Sequence, residues 1–123
     1  LRFKSAIGRG GKTEKIFISD IFMTDIKGEA IIFETTYWDN HVGVVKSDAK
    51  PKKEDYAPDF GDIHISNVVC YGAKTGISAH GAPGMIHDIT IDNSTIFYTS
   101  QPKDIDACCD IKMNDVMLKS FEK

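Results

Sequence analysis

The sequence predicts an all-β protein whose short parallel strands stack on one another, as in a parallel β-helix. A six-residue phrase (apolar, any residue, apolar, polar, Asn or Asp, then usually a branched aliphatic) occurs four times, at 16–21, 63–68, 89–94 and 111–116. Such a repeat indicates stacked units. Within each phrase the apolar residues alternate, which indicates strand. Gly and Pro interrupt the chain too often for long helices.

The spacing of the phrases gives the size of the repeating unit. The interval between the first two phrases is about twice as long as either of the later intervals. It holds a polar stretch at 38–60, which is interpreted as an inserted loop; without this loop the three intervals are of similar length. One short strand cannot bury its apolar face alone, so the units must stack. The sequence therefore predicts a single domain over 1–123, with about four to five coils.

The phrase also predicts where each side chain points. Its first and third residues should face the core, and its second residue should face outward. The outward residues are Phe17, His64, Thr90 and Lys112. The fifth residue should lie at a turn, because Asn and Asp tolerate a left-handed backbone. These are Asp20, Asn67, Asn93 and Asp115. They are either turn residues only or members of a hydrogen-bonded ladder, and both interpretations are structural.

Composition, charge and the lack of known motifs argue against several classes of function. The net charge is −3 with both signs well mixed, which argues against a nucleic-acid partner. No apolar run approaches membrane-spanning length, so no membrane partner is expected. No nucleotide-binding, nucleophile-elbow or zinc motif occurs, so the sequence predicts no cofactor and no metal site. The three cysteines are expected to be buried free thiols, with Cys108 and Cys109 facing opposite sides.

Two cations at the start of the chain are candidate ligand-binding residues. Arg2 and Lys4 are two residues apart on a predicted strand, so both should point outward while Leu1 and Phe3 point inward. An outward pair of this kind is either solvated or holds a carboxylate or phosphate. The glycines at 8–11 precede a strand; they form either a turn or a loop whose amide groups approach an anion.

An aromatic pair and many carboxylates complete the candidate chemistry. Tyr37 ends a predicted strand, where an aromatic ring could stack on a sugar, whereas the adjacent Trp38 could instead pack in the core. Glycoside hydrolysis needs two carboxyl groups across the scissile bond. The spacing of the acidic residues selects no such pair, so no catalytic residue is predicted.

Several of these segments together resemble the polygalacturonase-type enzymes of glycoside hydrolase family 28. The segment 1–5 is similar to the family's Arg-Ile-Lys motif, and 8–11 followed by 14–21 is similar to the glycine loop and strand of bacterial members. The segments 29–37, 62–68 and 72–74 continue the resemblance over nearly the whole chain. The family folds as a right-handed parallel β-helix and hydrolyses galacturonate linkages in pectin with inversion.

The resemblance implies roles for three residues and no catalytic centre. Arg2 and Lys4 would pair with the carboxylate of a galacturonate beside the scissile bond, and Tyr37 would contact the same sugar. The family's Asn-Thr-Asp, Asp-Asp and Gly-His-Gly segments precede the Arg-x-Lys motif and do not occur in this chain. The chain alone is therefore expected to be inactive, as the C-terminal part of a pectin-degrading glycosidase that would be secreted or periplasmic.

Other functions remain as alternatives. The chain could be a non-catalytic β-helical module that binds acidic polysaccharide or serves a structural role. A β-helical lyase would use calcium held by clustered carboxylates, and no such cluster is apparent in the sequence. The strand edge left open before Leu1 predicts self-association through the N-terminal end, or a missing partner segment, because exposed parallel edges tend to pair.

Overall fold

The computed structural model of the chain describes residues 1–5, 10–35 and 58–121, which form six β-strands and no helix. The strands are β1 (Arg2–Lys4), β2 (Lys12–Thr13), β3 (Ile16–Glu34), β4 (Asp59–His80), β5 (Ile86–Ile105) and β6 (Ile111–Ser120). The predicted all-β class is confirmed. These ranges contain no helix long and apolar enough to cross a membrane. The predicted loop at 38–60 lies outside them up to residue 57, and its last two residues begin β4.

All the strands belong to one sheet, and every pair of neighbours is parallel. Its order is β1-β3-β4-β5-β6, with β2 beside β4. The four phrases lie side by side in register. One column contains the first residue of each phrase, namely Ile16, Ile63, Ile89 and Ile111. The next core-facing column contains Ile18, Ile65, Ile91 and Met113. The predicted stacking of the repeat is confirmed.

Alternation along the strands separates the core from the surface. Ile63 and Ile65 are fully buried. The matching residues of β5, Ile89 and Ile91, have at most 1% of their surface exposed. The outward residue of the first phrase, Phe17, is 75% exposed. The predicted inward and outward positions are therefore confirmed. Burial of these isoleucines stabilises the sheet by about 1.5–3 kcal/mol for each side chain.

The long strands are bent. This follows from the contacts in the core, where side chains from distant parts of one strand meet. A straight strand of 22 residues, the length of β4, would span about 73 Å. Nevertheless Ile63 and Ala79, near its two ends, belong to the same buried cluster. The rings of Phe3 and Phe60, on strands that are not paired with each other, lie 6.3 Å apart at their centroids.

The bends occur at acidic and amide residues with a left-handed backbone. The fifth residue of every phrase has a positive φ: 60° at Asp20, 54° at Asn67, 48° at Asn93 and 54° at Asp115. The prediction of left-handed turns is confirmed. The Asn93 side-chain amide also donates a hydrogen bond of 2.5 Å to the Asn67 side-chain oxygen, which favours the ladder interpretation for these two residues.

All three cysteines are free thiols, but only one is buried. Burial raises the pKa of the Cys70 thiol. Cys108 and Cys109 are half-buried, so the prediction of buried thiols is wrong for both. They lie in the turn between β5 and β6, at the outer end of the sheet, where no further strand among the described residues covers the core.

Candidate functional site

Arg2 and Lys4 lie on the outer face of β1, at one edge of the sheet. Both are exposed, and Phe3 between them is half-buried. Phe3 stacks on Phe33 with a centroid distance of 4.7 Å and an interplanar angle of 8°. This contact fixes the inward face of β1, and the alternation of the strand then directs both cations outward. The structure therefore places the two cations side by side, as the sequence predicted.

The outer face continues from β1 across the neighbouring strands in two rows. Arg2 aligns with Ile32, then Ser78 and Asp104. Lys4 aligns with Glu34 and then His80. Ile32 and Ser78 are buried, whereas Glu34 and His80 are half-buried. In the first row, two buried residues therefore lie between the exposed cation, Arg2, and the exposed carboxylate, Asp104. These two ends are three strand spacings, or about 14 Å, apart.

A histidine between two aspartates occupies the far side of this face. The His80 Nε2 atom lies 3.3 Å from the Asp104 carboxylate and 3.1 Å from the Ser78 hydroxyl. Its Nδ1 atom lies 3.4 Å from the Asp106 carboxylate. Asp106 also accepts a hydrogen bond of 3.1 Å from the Gly81 amide. These contacts fix the orientation of the imidazole, with a carboxylate beside each ring nitrogen.

The face therefore combines two kinds of chemistry. The β1 end offers a planar guanidinium and an ammonium, which suit a carboxylate or phosphate ligand. The opposite end offers the imidazole of His80, on β4, between two carboxylates, where its ring nitrogens form polar contacts with the acidic groups. An anionic ligand would be attracted to the first end and repelled from the second.

Two further histidines are held by aspartates near the starts of β4 and β5. His64 contacts the Asp62 carboxylate and the Thr90 hydroxyl, both at 2.7 Å. His87 contacts Asp59 at 2.6 Å and Asp88 at 2.8 Å. Hydrogen bonds that the His87 imidazole donates to the Asp88 and Asp59 carboxylates raise the pKa of His87. In the described ranges, no three His, Cys, Asp or Glu side chains are grouped so that they could hold a metal ion.

The remaining sequence candidates fall outside the described residues. These are Tyr37, the adjacent Trp38, and Arg9 with Gly8 in the glycine loop. Gly10 and Gly11 are described, and both have a positive φ, 63° and 90°, as a turn of glycines allows. The contact of Tyr37 with a sugar remains a prediction.

No local sequence pattern predicts the group formed by His80 and its two aspartates. In the sequence, Asp104 and Asp106 are two of many acidic residues, and no local pattern connects them with His80. The register between β4 and β5 brings the group together. It aligns Ser78 with Asp104 and places His80 beside Asp106. Applying the repeat to every position of the strand, rather than to the phrase alone, would have placed these residues together.

Comparison with known proteins adds no family to this description. No protein family, no curated protein and no solved structure matches the chain.

Proposed function

We propose that this chain is the C-terminal part of a polygalacturonase-like glycosidase and that it binds galacturonate-containing pectic polysaccharide. The observation that carries the proposal is the exposed pair of cations, Arg2 and Lys4, on one outer face of β1. The catalytic aspartates of such an enzyme would belong to coils outside this chain. By the same resemblance, the protein would lie in the periplasm or outside the cell.

A right-handed parallel β-helix is the form of sheet that we propose. Three features support it: the in-register stacking of the four phrases, the left-handed Asn or Asp at each bend, and the contacts between distant parts of one strand. A sheet that turns back on itself in this way has an interior, which the buried isoleucine columns fill. Connections between parallel strands are right-handed in nearly all proteins, which supports the handedness.

The cation pair suits a uronic acid better than a neutral sugar. A guanidinium forms two parallel hydrogen bonds with a carboxylate, and an ammonium adds a second charge. Charge-assisted hydrogen bonds of this kind contribute about 1.5–3 kcal/mol each. A neutral galactose unit lacks the carboxylate and would lose these contacts. The proposal therefore includes a preference for acidic over neutral glycans.

The binding experiment titrates trigalacturonate and a neutral galactose trisaccharide into the chain, with calorimetry or amide chemical shifts as the readout. We expect binding of the acidic trisaccharide only, weakened at least about tenfold in the double variant Arg2→Ala and Lys4→Ala. Removal of two other exposed cations, Lys103→Ala and Lys119→Ala, is the matched control and should leave binding unchanged. Added salt should weaken binding, because these charges are exposed.

Three results would contradict the proposal. Equal binding of the neutral trisaccharide would remove the role of the carboxylate, and undiminished binding by the double variant would remove the role of Arg2 and Lys4. Clear release of reducing sugar from polygalacturonate by this chain would contradict its expected lack of turnover. If a longer polypeptide that contains this chain binds the polymer but does not cleave it, the alternative of a non-catalytic polysaccharide-binding module would replace the enzyme proposal.

A further inference from the structure

The charges on the outer face that carries Arg2 and Lys4 are unevenly distributed. Both cations lie on β1, and the second row continues from Lys4 to Glu34 on β3 and then to His80 on β4. Adjacent strands are about 4.8 Å apart, so the backbone at His80 lies about 10 Å from the backbone at Lys4. The cations are therefore only two strand spacings from a group of acidic residues.

Three acidic residues neighbour His80 on the adjacent strands, and we call them the acidic end. Asp104 lies 3.3 Å from the His80 Nε2 atom, and Asp106 lies 3.4 Å from the Nδ1 atom. Glu34 is the residue of β3 that pairs with His80. The side chain of Asp104 is 51% exposed, and that of Asp106 is 28% exposed, so a ligand on this face can approach both carboxylates.

The acidic end is negative whether or not the imidazole carries a proton. Its three carboxylates outnumber the single positive charge that His80 can hold. Lys103 precedes Asp104 in the sequence, but it aligns with the buried Ile77 and therefore belongs to the opposite face of the strand. An ionised ligand group over the acidic end would thus meet like charges at short range, where salt screens them little.

A polysaccharide held at Arg2 and Lys4 has further sugar units beyond the one whose carboxylate binds there. A unit that lies toward β5 would bring a second carboxylate close to the acidic end, and the two would repel each other. A methyl ester of that unit has no charge, and its oxygen atoms can still accept hydrogen bonds. The face therefore suits a ligand that is anionic at its β1 end and uncharged at its β5 end.

We infer that the acidic end selects an esterified, uncharged uronate unit on the β5 side of the ionised unit that Arg2 and Lys4 hold. Asp104 is the most exposed of the three carboxylates and contributes most to this selection. The selectivity rests on the proposed function and narrows its ligand to a galacturonan with part of its carboxylates esterified. Asp104 is a specificity-determining residue in this role, and it takes no part in bond cleavage.

Calorimetric titration of matched ligands tests the role of Asp104. The ligands are trigalacturonate and its two isomers with one methyl ester, at either end, in buffer of low ionic strength. Asp104→Asn removes the charge and retains an acceptor for His80. We expect this variant to bind trigalacturonate about threefold more tightly, the factor for two charges about 6 Å apart in water. Its affinity for the isomer with the ester over the acidic end should not change.

Asp115→Asn is the matched control, because it removes the same charge from an exposed residue of β6 that belongs to neither row of this face. It should leave all three affinities unchanged. An equal gain from this control would attribute the effect to the total charge and overturn the inference. Equal gains by Asp104→Asn for all three ligands, or no gain for any of them, would overturn it as well.

The two proposals can be separated by the same titrations. If trigalacturonate binding needs Arg2 and Lys4 but does not respond to Asp104→Asn, the proposed function stands and the selectivity for an esterified unit is wrong. If neither trigalacturonate nor its ester isomers bind, both proposals are wrong.

Discussion

Gly61 lies beside His87 on the neighbouring strand, and its lack of a side chain leaves room for the imidazole. A Cβ atom at this position would meet three atoms of the ring, its Nε2 atom at 2.6 Å. The ring in turn contacts Asp59 on β4 and Asp88 on β5. This histidine therefore joins the starts of two long strands through two carboxylates, and its charge is part of the connection.

The charge on His87 predicts a pH-dependent stability. Its folded-state pKa is raised by Asp88 and Asp59, so its contribution is fully present below the unfolded pKa of about 6.5 and is lost as the pH rises through the folded value. We expect His87→Gln to lower the free energy of unfolding more at pH 5.5 than at pH 9, as measured by urea denaturation. Equal losses at the two pH values would show that the charged imidazole contributes nothing.

At the scale of the elements, the space between neighbouring strands determines which glycines can be replaced. Gly76 lies where β4 approaches β5, and a Cβ atom there would collide with the Pro102 carbonyl oxygen. It would also contact Leu118 at 3.4 Å and Ile96 at 3.5 Å. Gly28, on β3, has no atom within 4 Å of the same position. The two glycines thus differ in the space around them, although both lie within long strands.

Alanine at each of these glycines tests the close approach of β4 to β5. We expect Gly76→Ala to destabilise the protein by about 1–3 kcal/mol, because the backbone of β5 must move to accept the methyl group. Gly28→Ala should change the free energy of unfolding by about 0.5 kcal/mol or less. Urea denaturation of both variants under the same conditions provides the comparison. A smaller effect at residue 76 than at residue 28 would contradict the close approach of β4 and β5.

At the scale of the whole molecule, burial differs between the inner and the outer strands of the part of the chain that the structure describes. The columns of core-facing side chains are fully buried on β4 and nearly so on β5, and half-buried on β3 and β6. A cavity of about 530 Å³ opens at the β6 end, lined in part by Ile105, Cys109 and Met113. Stability should therefore come chiefly from the two central strands.

Truncation of equivalent isoleucines measures this difference. Ile65 and Ile18 occupy the same position of the phrase on neighbouring strands, but only Ile65 is fully buried. We expect Ile65→Ala to cost about 2–5 kcal/mol and Ile18→Ala to cost clearly less, since part of the Ile18 side chain already contacts water. The free energy of unfolding at low protein concentration gives both values. Equal costs would indicate that the side of β3 that faces away from β4 over 16–26 is covered in solution.

Much of the architecture follows from the sequence alone. The four phrases predict parallel strands, their register, the inward isoleucines and the left-handed Asn or Asp at each bend, and the structure confirms all of these features. They are predictable because they are local: side chains alternate along any strand, and Asn and Asp adopt a left-handed backbone more easily than other residues with side chains. The outward direction of Arg2 and Lys4 follows from the same alternation.

The tertiary structure alone decided which polar residues meet. His80 lies beside Asp104 and Asp106 because β4 and β5 return to the offset of the phrase after the register shifts on either side of Ala73, and His87 reaches Asp59 although its paired residue is Gly61. The repeat does not show that the offset returns. A contact between residues so far apart in the chain depends on every turn between them. The half-burial of Cys108 and Cys109 also depends on what covers the end of the sheet. Sequence determines the period of a strand, whereas contacts between strands depend on the path of the whole chain.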